Sequence, residues 1–170
     1  MAVRIDELEE ITADILDRVP SDGRRWELLA GTLHVTPAPS GPHQTIAFNL
    51  ALVLRAARPE GLAVMVAPFD LRPDGRTSLQ PDVLVVTADE AAKARTTSVP
   101  LLVVEVLSPD SRADDLGSKR VVYEGLGIPS YWILDPEGPT VTELRLVDGR
   151  YVEAGFVGPD IDSPPTVPSP

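Results

Sequence analysis

The sequence predicts an α/β fold: a mixed (α+β) sheet flanked by helices, in a single domain over residues 1–157. Three observations lead there. Residues 83–86 (Val-Leu-Val-Val) and 101–107 (Leu-Leu-Val-Val-Glu-Val-Leu) are short, nearly continuous runs of β-branched residues and leucine, the pattern of central strands covered on both faces. Apolar residues recur at helical spacing in separate stretches between and around them. Ala30-Gly31 and Asp148-Gly149 each divide two strand-like segments, as the turns of antiparallel hairpins do.

In chain order, Ile5, Leu8, Ile11, Ile15 and Val19 follow one another at spacings of three and four and predict an amphipathic helix over residues 6–18, stopped by Pro20, Ser21, Asp22 and Gly23. Its acidic residues, from Asp6 to Asp17, form a solvated face. Residues 26–36 predict the first hairpin. A Pro/Ser/Gly-rich loop leads to a long helix over 43–57, with Ile46, Leu50, Val53 and Leu54 on one side. Residues 63–71 read as a strand and Arg72-Pro73-Asp74-Gly75 as a turn. The polar link 87–100 has room for a short helix at 89–95. A helix over 114–125 ends before Gly127, a residue suited to the position just past a helix. A strand at 131–134 and a hairpin of 141–146 with 151–156 complete the domain, and residues 158–170 form a Pro-rich, extended tail.

Composition narrows the function. The chain has 170 residues, 43% of them hydrophobic, enough for one packed core. It has no cysteine, which excludes disulfides, thiolate zinc sites and a cysteine nucleophile. No segment resembles a signal peptide or reaches the ~20 apolar residues of a membrane helix, so a cytoplasmic location without membrane contact is expected. A net charge of −11 does not favour non-specific attraction to phosphate backbones. His34 and His43 lack zinc-ligand spacing, and neither a phosphate-cradling glycine loop nor a nucleophile elbow is present. His34, Trp26 and Trp132 read as packing residues.

The anomaly is Glu105. An unpaired carboxylate inside a buried strand costs several kcal/mol, roughly, so it must take up a proton, pair with a cation or bind a metal. Strand alternation puts Val103, Glu105 and Leu107 on one face. Asp82 opens the neighbouring apolar strand after Pro81. Two adjacent strands that each offer one carboxylate make a hard-oxygen site suited to Mg²⁺ or Mn²⁺. The structural alternatives are a strand-edge turn for Asp82 and an ion pair with Lys or Arg for Glu105. Asp70 reads as a turn residue, with a further metal ligand as the alternative. Asp115, Lys119 and Tyr123 are spaced by four and share a helix face; by themselves they read as a surface ion pair beside a packed tyrosine.

An ordered series of motifs resembles a known family. Trp26-Glu27-Leu28-Leu29-Ala30-Gly31, His43, Pro81-Asp82-Val83, Val103-Val104-Glu105-Val106-Leu107-Ser108-Pro109, Asp115-Leu116-Gly117-Ser118-Lys119-Arg120 with Tyr123, and Gly127-Ile128-Pro129-Ser130-Tyr131-Trp132-Ile133-Leu134-Asp135-Pro136 look like the Uma family of bacterial restriction endonucleases, placed in the PD-(D/E)XK nuclease superfamily. The resemblance implies a restriction-endonuclease-like αβββαβ core, here with an added N-terminal helix and hairpin and a C-terminal hairpin. It also implies a homodimer that cleaves DNA with Mg²⁺ or Mn²⁺. Asp82 and Glu105 match the metal-binding acids. Leu107 stands where the motif has lysine, and Lys119 on the following helix is the candidate to replace it as the third catalytic residue. Glu27 and His43 match family positions and, with Asp70, Asp115 and Tyr123, are possible accessory residues. A catalytically inactive interaction module on the same fold is the alternative function.

Overall fold

A computed structural model describes residues 11–19 and 22–158. Its centre is a six-stranded sheet in the order β10-β9-β8-β7-β6-β3. These strands are β3 (Leu62–Val66), β6 (Val83–Thr87), β7 (Leu102–Val106), β8 (Ser130–Asp135), β9 (Thr140–Val147) and β10 (Arg150–Val157). β7 and β8 run parallel and every other neighbouring pair is antiparallel. A second sheet, β2-β1-β5-β4, joins β1 (Arg25–Leu29), β2 (Thr32–Thr36), β4 (Leu71–Asp74) and β5 (Thr77–Leu79). The five helices of the described residues are α1 (Ala13–Leu16), α2 (Gly41–Ala57), α3 (Ala88–Ala91), α4 (Arg112–Leu116) and α5 (Ser118–Gly125).

The period-two pattern of the central strands divides the core. Val83, Val85, Leu102, Val104 and Val106 pack with Ala47, Ala51 and Leu54 of α2. Leu84, Val86, Val103 and Leu107 point to the opposite face, where Tyr123 of α5 and Leu29, Leu71 and Leu79 of the small sheet cover them. Both faces are buried, which is why these strands read as continuous apolar runs.

Local chemistry sets the turns. Ala30 (φ 49°) and Gly31 (φ 90°) give the first hairpin two consecutive left-handed residues, and Asp148 (φ 50°) and Gly149 (φ 75°) do the same for β9–β10. Past α5, Ile128 N–H donates to Tyr123 O and Gly127 N–H to Glu124 O, so Gly127 closes the helix as the sequence predicts.

Three elements differ from the sequence reading. Residues 63–71 are not one strand: Pro68 has no N–H to continue the ladder, and the chain leaves β3 at Val66. Arg72-Pro73-Asp74 is not a turn but most of β4, and the turn shifts to Gly75-Arg76. The cause is tertiary. The buried Arg72 guanidinium pairs with Asp70, Asp17 and Ser78 Oγ, each at 2.8 Å, and this holds its backbone extended. The helix expected over 114–125 is split, with Gly117 (φ −114°, ψ −90°) between α4 and α5. A Cβ there would lie 2.8 Å from Ala113 O, so the close approach requires glycine.

Of the helix expected over 6–18, the described part is the single turn α1. Thr12 is extended and Ala13 N–H bonds to Gly75 O at 2.8 Å, a tertiary partner from β4–β5. Ile5, Leu8, the stop at Pro20-Ser21 and the tail beyond Gly158 lie outside the described residues.

Candidate active site

The antiparallel ladder pairs Val83 with Val104 and Leu84 with Val103. One residue further along that register, Asp82 stands opposite Glu105. By alternation both share the face of Leu84 and Val103, as the sequence predicts. Side chains directly opposite on antiparallel strands have Cβ atoms roughly 4.5–5.5 Å apart.

The two carboxylates have different partners. Asp82 Oδ1 accepts from Arg25 Nη2 at 2.9 Å. Its Oδ2 accepts from Val106 N–H at 2.8 Å and lies 3.0 Å from His43 Nε2. Burial alone would raise its pKa, but the His43 hydrogen bond and the charge of Arg25 outweigh it and hold Asp82 at about 2. His43 is raised in return, chiefly by its bond to Asp82. Its ring is fixed by the N-terminus of α2, where Ser40 Oγ caps His43 N–H.

Glu105 lies deeper. Its Oε1 accepts from Tyr123 Oη at 2.6 Å and from Lys119 Nζ at 3.0 Å. Lys119 Nζ is also 3.1 Å from Asp115 Oδ1 and 3.3 Å from Glu27 Oε2. Burial pushes Glu105 well above the usual carboxylate range; Lys119 opposes this, while Asp115, Asp82 and Glu27 add to it. Burial would lower Lys119, but Glu105, Glu27 and Asp115 overcome it and raise Lys119 well above its usual value. Asp115 is raised, first by its own burial.

These positions replace the surface reading of the helix. Lys119 is 2% exposed and Asp115 1%, so the pair spaced by four is an interior cluster, not a solvated one. Glu27 belongs to it: Gln80 N–H donates to Glu27 Oε1 at 2.8 Å. Asp70 does not reach the pair. It binds Arg72 and the side-chain amide of Gln80, and so acts on Glu27 only through Gln80. His34 Nδ1 is in hydrogen-bond contact with Asp114 Oδ2 at 2.9 Å, so it is not a plain packing residue. Trp26 lies under the Arg24 guanidinium, and Trp132 is buried.

Sequence reasoning did not place Arg25 at the carboxylates. It precedes Glu27 by two on β1, so strand parity sends both side chains to one face; that signal was available once Glu27 had been singled out. Arg25, His43 and Asp82 line a cleft of about 990 Å³ that also takes in Phe48, Val66 and Gln80. A smaller cavity of about 150 Å³ lies beside it, against Thr36, Ser108 and Ser111.

Among the described residues, no three Asp, Glu or His side chains converge as a ready-made metal cage. Mg²⁺ is commonly held by one or two carboxylates, with water and substrate phosphate completing its shell. The donor set fits that description. Four carboxylates (Glu27, Asp82, Glu105, Asp115) outnumber the two permanent cations (Arg25, Lys119), with the raised His43 a further partner of Asp82 and Glu105 raised toward its protonated form. Asp115 Oδ1 is in ion-pair range of Lys119 yet makes no hydrogen bond. These hard oxygens suit a divalent cation that takes the place of such a proton.

The fold is that of a restriction-endonuclease-like α/β protein. A family model described as "Putative restriction endonuclease", Uma2, matches residues 12–169, and the chain belongs to that family. Among solved structures, it is similar to one described as a "putative nuclease belonging to DUF820" from Anabaena variabilis ATCC 29413. The identity is 22%, the TM-score 0.68, and 79% of each chain is covered. Comparison with curated proteins gives no match. Among the described residues, no helix is long and apolar enough to cross a membrane.

Proposed function

We propose that this chain is a Mg²⁺- or Mn²⁺-dependent DNA endonuclease that hydrolyses phosphodiester bonds. The observation that carries the reading is the position of Lys119: its Nζ is 3.0 Å from Glu105, although it comes from α5 and not from the strand position occupied by Leu107. A lysine supplied from another backbone position restores the acid–acid–lysine set that the motif lacks in sequence.

In this reading Asp82 and Glu105 hold the metal. When bound, the metal polarises the scissile phosphate and lowers the pKa of a water. Lys119 would orient that water and offset negative charge that develops on the phosphoryl oxygens. Glu27 and Asp115 hold the ammonium, Tyr123 fixes Glu105, and His43 fixes Asp82. The DNA backbone lies along the cleft beside α2. We also assign a homodimer. The family resemblance implies it, and Leu52 and Val53 of α2 stand exposed outside the cleft, apolar surface that a second copy would cover. Light scattering at micromolar concentration checks this, and a monomer mass rejects it.

The test is plasmid nicking by purified protein in Mg²⁺ or Mn²⁺, with Glu105→Ala alongside. Nicking that needs the metal and disappears in the variant supports the reading. Metal-independent nicking, or the same activity in both proteins, rejects it. Folded wild-type protein that binds DNA without cutting under any metal leads instead to the non-catalytic module. The acidic charge of −11 and the pairing of Arg24 with Asp22, Lys93 with Glu90 and Arg95 with Asp17 favour that second reading.

A further inference from the structure

The two oxygens of Asp82 are held in different ways. Oδ2 is fixed by the fold: Val106 N–H belongs to β7, and His43, which bonds Val106 O at 2.9 Å as well, belongs to the first turn of α2. Neither can leave without disturbing a main element. Among the described residues, Oδ1 has a single hydrogen-bond partner, the Arg25 guanidinium, on a long flexible side chain at the first residue of β1. A divalent cation that approaches Asp82 has Oδ1 as its open route, and that route is occupied by a cation. A guanidinium and a dication on one carboxylate oxygen repel each other.

The cavities support the same conclusion. Arg25, Ala38, Pro39 and His43 line both the 990 Å³ cleft and the 150 Å³ cavity, so Arg25 stands in the wall between them. If its side chain turns outward, that wall opens and Oδ1 of Asp82, a residue that already lines the cleft, loses the cation that covers it. The cleft has room for the displaced guanidinium.

We propose that Arg25 is a built-in rival of the metal at Asp82. It clamps Oδ1 in the metal-free protein, and metal entry and Arg25 release are one exchange. The inference rests on the metal-dependent reading above and adds to it a residue that neither the carboxylate pair nor the lysine implies. Arg25 acts as a positioning residue: it sets how readily the metal binds and keeps the buried carboxylates neutralised until then.

The test measures Mn²⁺ binding by calorimetry on wild type, Arg25→Ala and Asp82→Asn, without DNA. Removal of the rival should tighten Mn²⁺ binding by roughly five- to a hundredfold, the usual range of coupling between two sites. Methylguanidinium at millimolar concentration should refill the gap in Arg25→Ala and weaken binding again; a purely structural arginine predicts no such reversal. Unchanged or weaker binding in a folded Arg25→Ala overturns the exchange and leaves the metal site standing. Wild-type binding that survives in Asp82→Asn overturns both, because the metal then sits elsewhere. Should Arg25→Ala not fold, the Arg25 Nε–Hε resonance of the wild type decides. It should shift as Mg²⁺ is added, and a resonance that stays in place overturns the exchange.

Discussion

Asp82 and Glu105 face each other across one ladder, yet their environments drive them apart. Asp82 is at the cleft, with a guanidinium, an imidazole and a backbone N–H to satisfy it, and it is held at about 2. Among the described residues, Glu105 is bonded only by Lys119 Nζ and Tyr123 Oη. It shares one ammonium with two other carboxylates and is pushed well above its usual range. The difference shows that burial alone does not set a carboxylate's charge: what counts is how many cations it must share and with whom. One acid is ionised and waiting, while the other needs a cation or a proton.

The largest effect expected is at the shared cation. Lys119→Met should destabilise the protein by roughly 3–5 kcal/mol, because three carboxylates lose their common partner in the interior. Urea unfolding measures it. A loss under ~1 kcal/mol, the value of an exposed pair, would mean that the cluster is solvated and the contrast with Asp82 false.

The metal joins what the environments separate. At a hundred times its Kd, Mg²⁺ should stabilise the wild type by about 2.7 kcal/mol, and the rise in melting temperature should vanish in Asp82→Asn. A rise that persists in that variant leaves Asp82 without a role in binding.

Much of this pair was legible in the sequence. An acid inside Leu-Leu-Val-Val-Glu-Val-Leu cannot be casual, and alternation fixed its face. The αβββαβ order survived because apolar runs and hairpin turns are local signals. What was hidden depends on contacts far apart in the chain. Arg72 looked like the start of a turn because its partners Asp17 and Ser78 come from other elements. Lys119 looked like a surface residue because a spacing of four describes a helix face without saying what covers that face. Arg25 was passed over because its partner lies 57 residues away.

Acid should separate the two carboxylates. Asp82 is depressed from 3.8 to about 2, so its contribution is present above pH ~4 and is lost as pH falls through about 2. The size is on the order of 2 kcal/mol, read as the difference between wild type and Asp82→Asn in unfolding curves from pH 5 downward. Parallel curves would show that Arg25 and His43 do not hold the charge.

The smallest effect belongs to Glu105→Gln, and its smallness is the point. A carboxyl raised far above its usual range keeps its proton at moderate pH, and glutamine has nearly the same shape with no charge. Tyr123 Oη can still donate to the amide oxygen, and Lys119 keeps Glu27 and Asp115. Below the unfolded pKa near 4.5, Glu105→Gln should therefore match the wild type within ~1 kcal/mol, the size of one altered hydrogen bond. The sign then works against the wild type as pH rises. A raised acid contributes stability that is complete below its unfolded pKa near 4.5 and is lost as pH rises through the folded pKa. Melting temperatures of the metal-free proteins, followed upward from pH 5, should diverge, with the wild type falling and the variant holding. If Glu105→Gln instead loses stability at every pH, as Asp82→Asn should, then Glu105 is an ionised partner of Lys119. The two acids would then be alike, and the surplus charge that invites a metal would have to lie on Asp115 or Glu27.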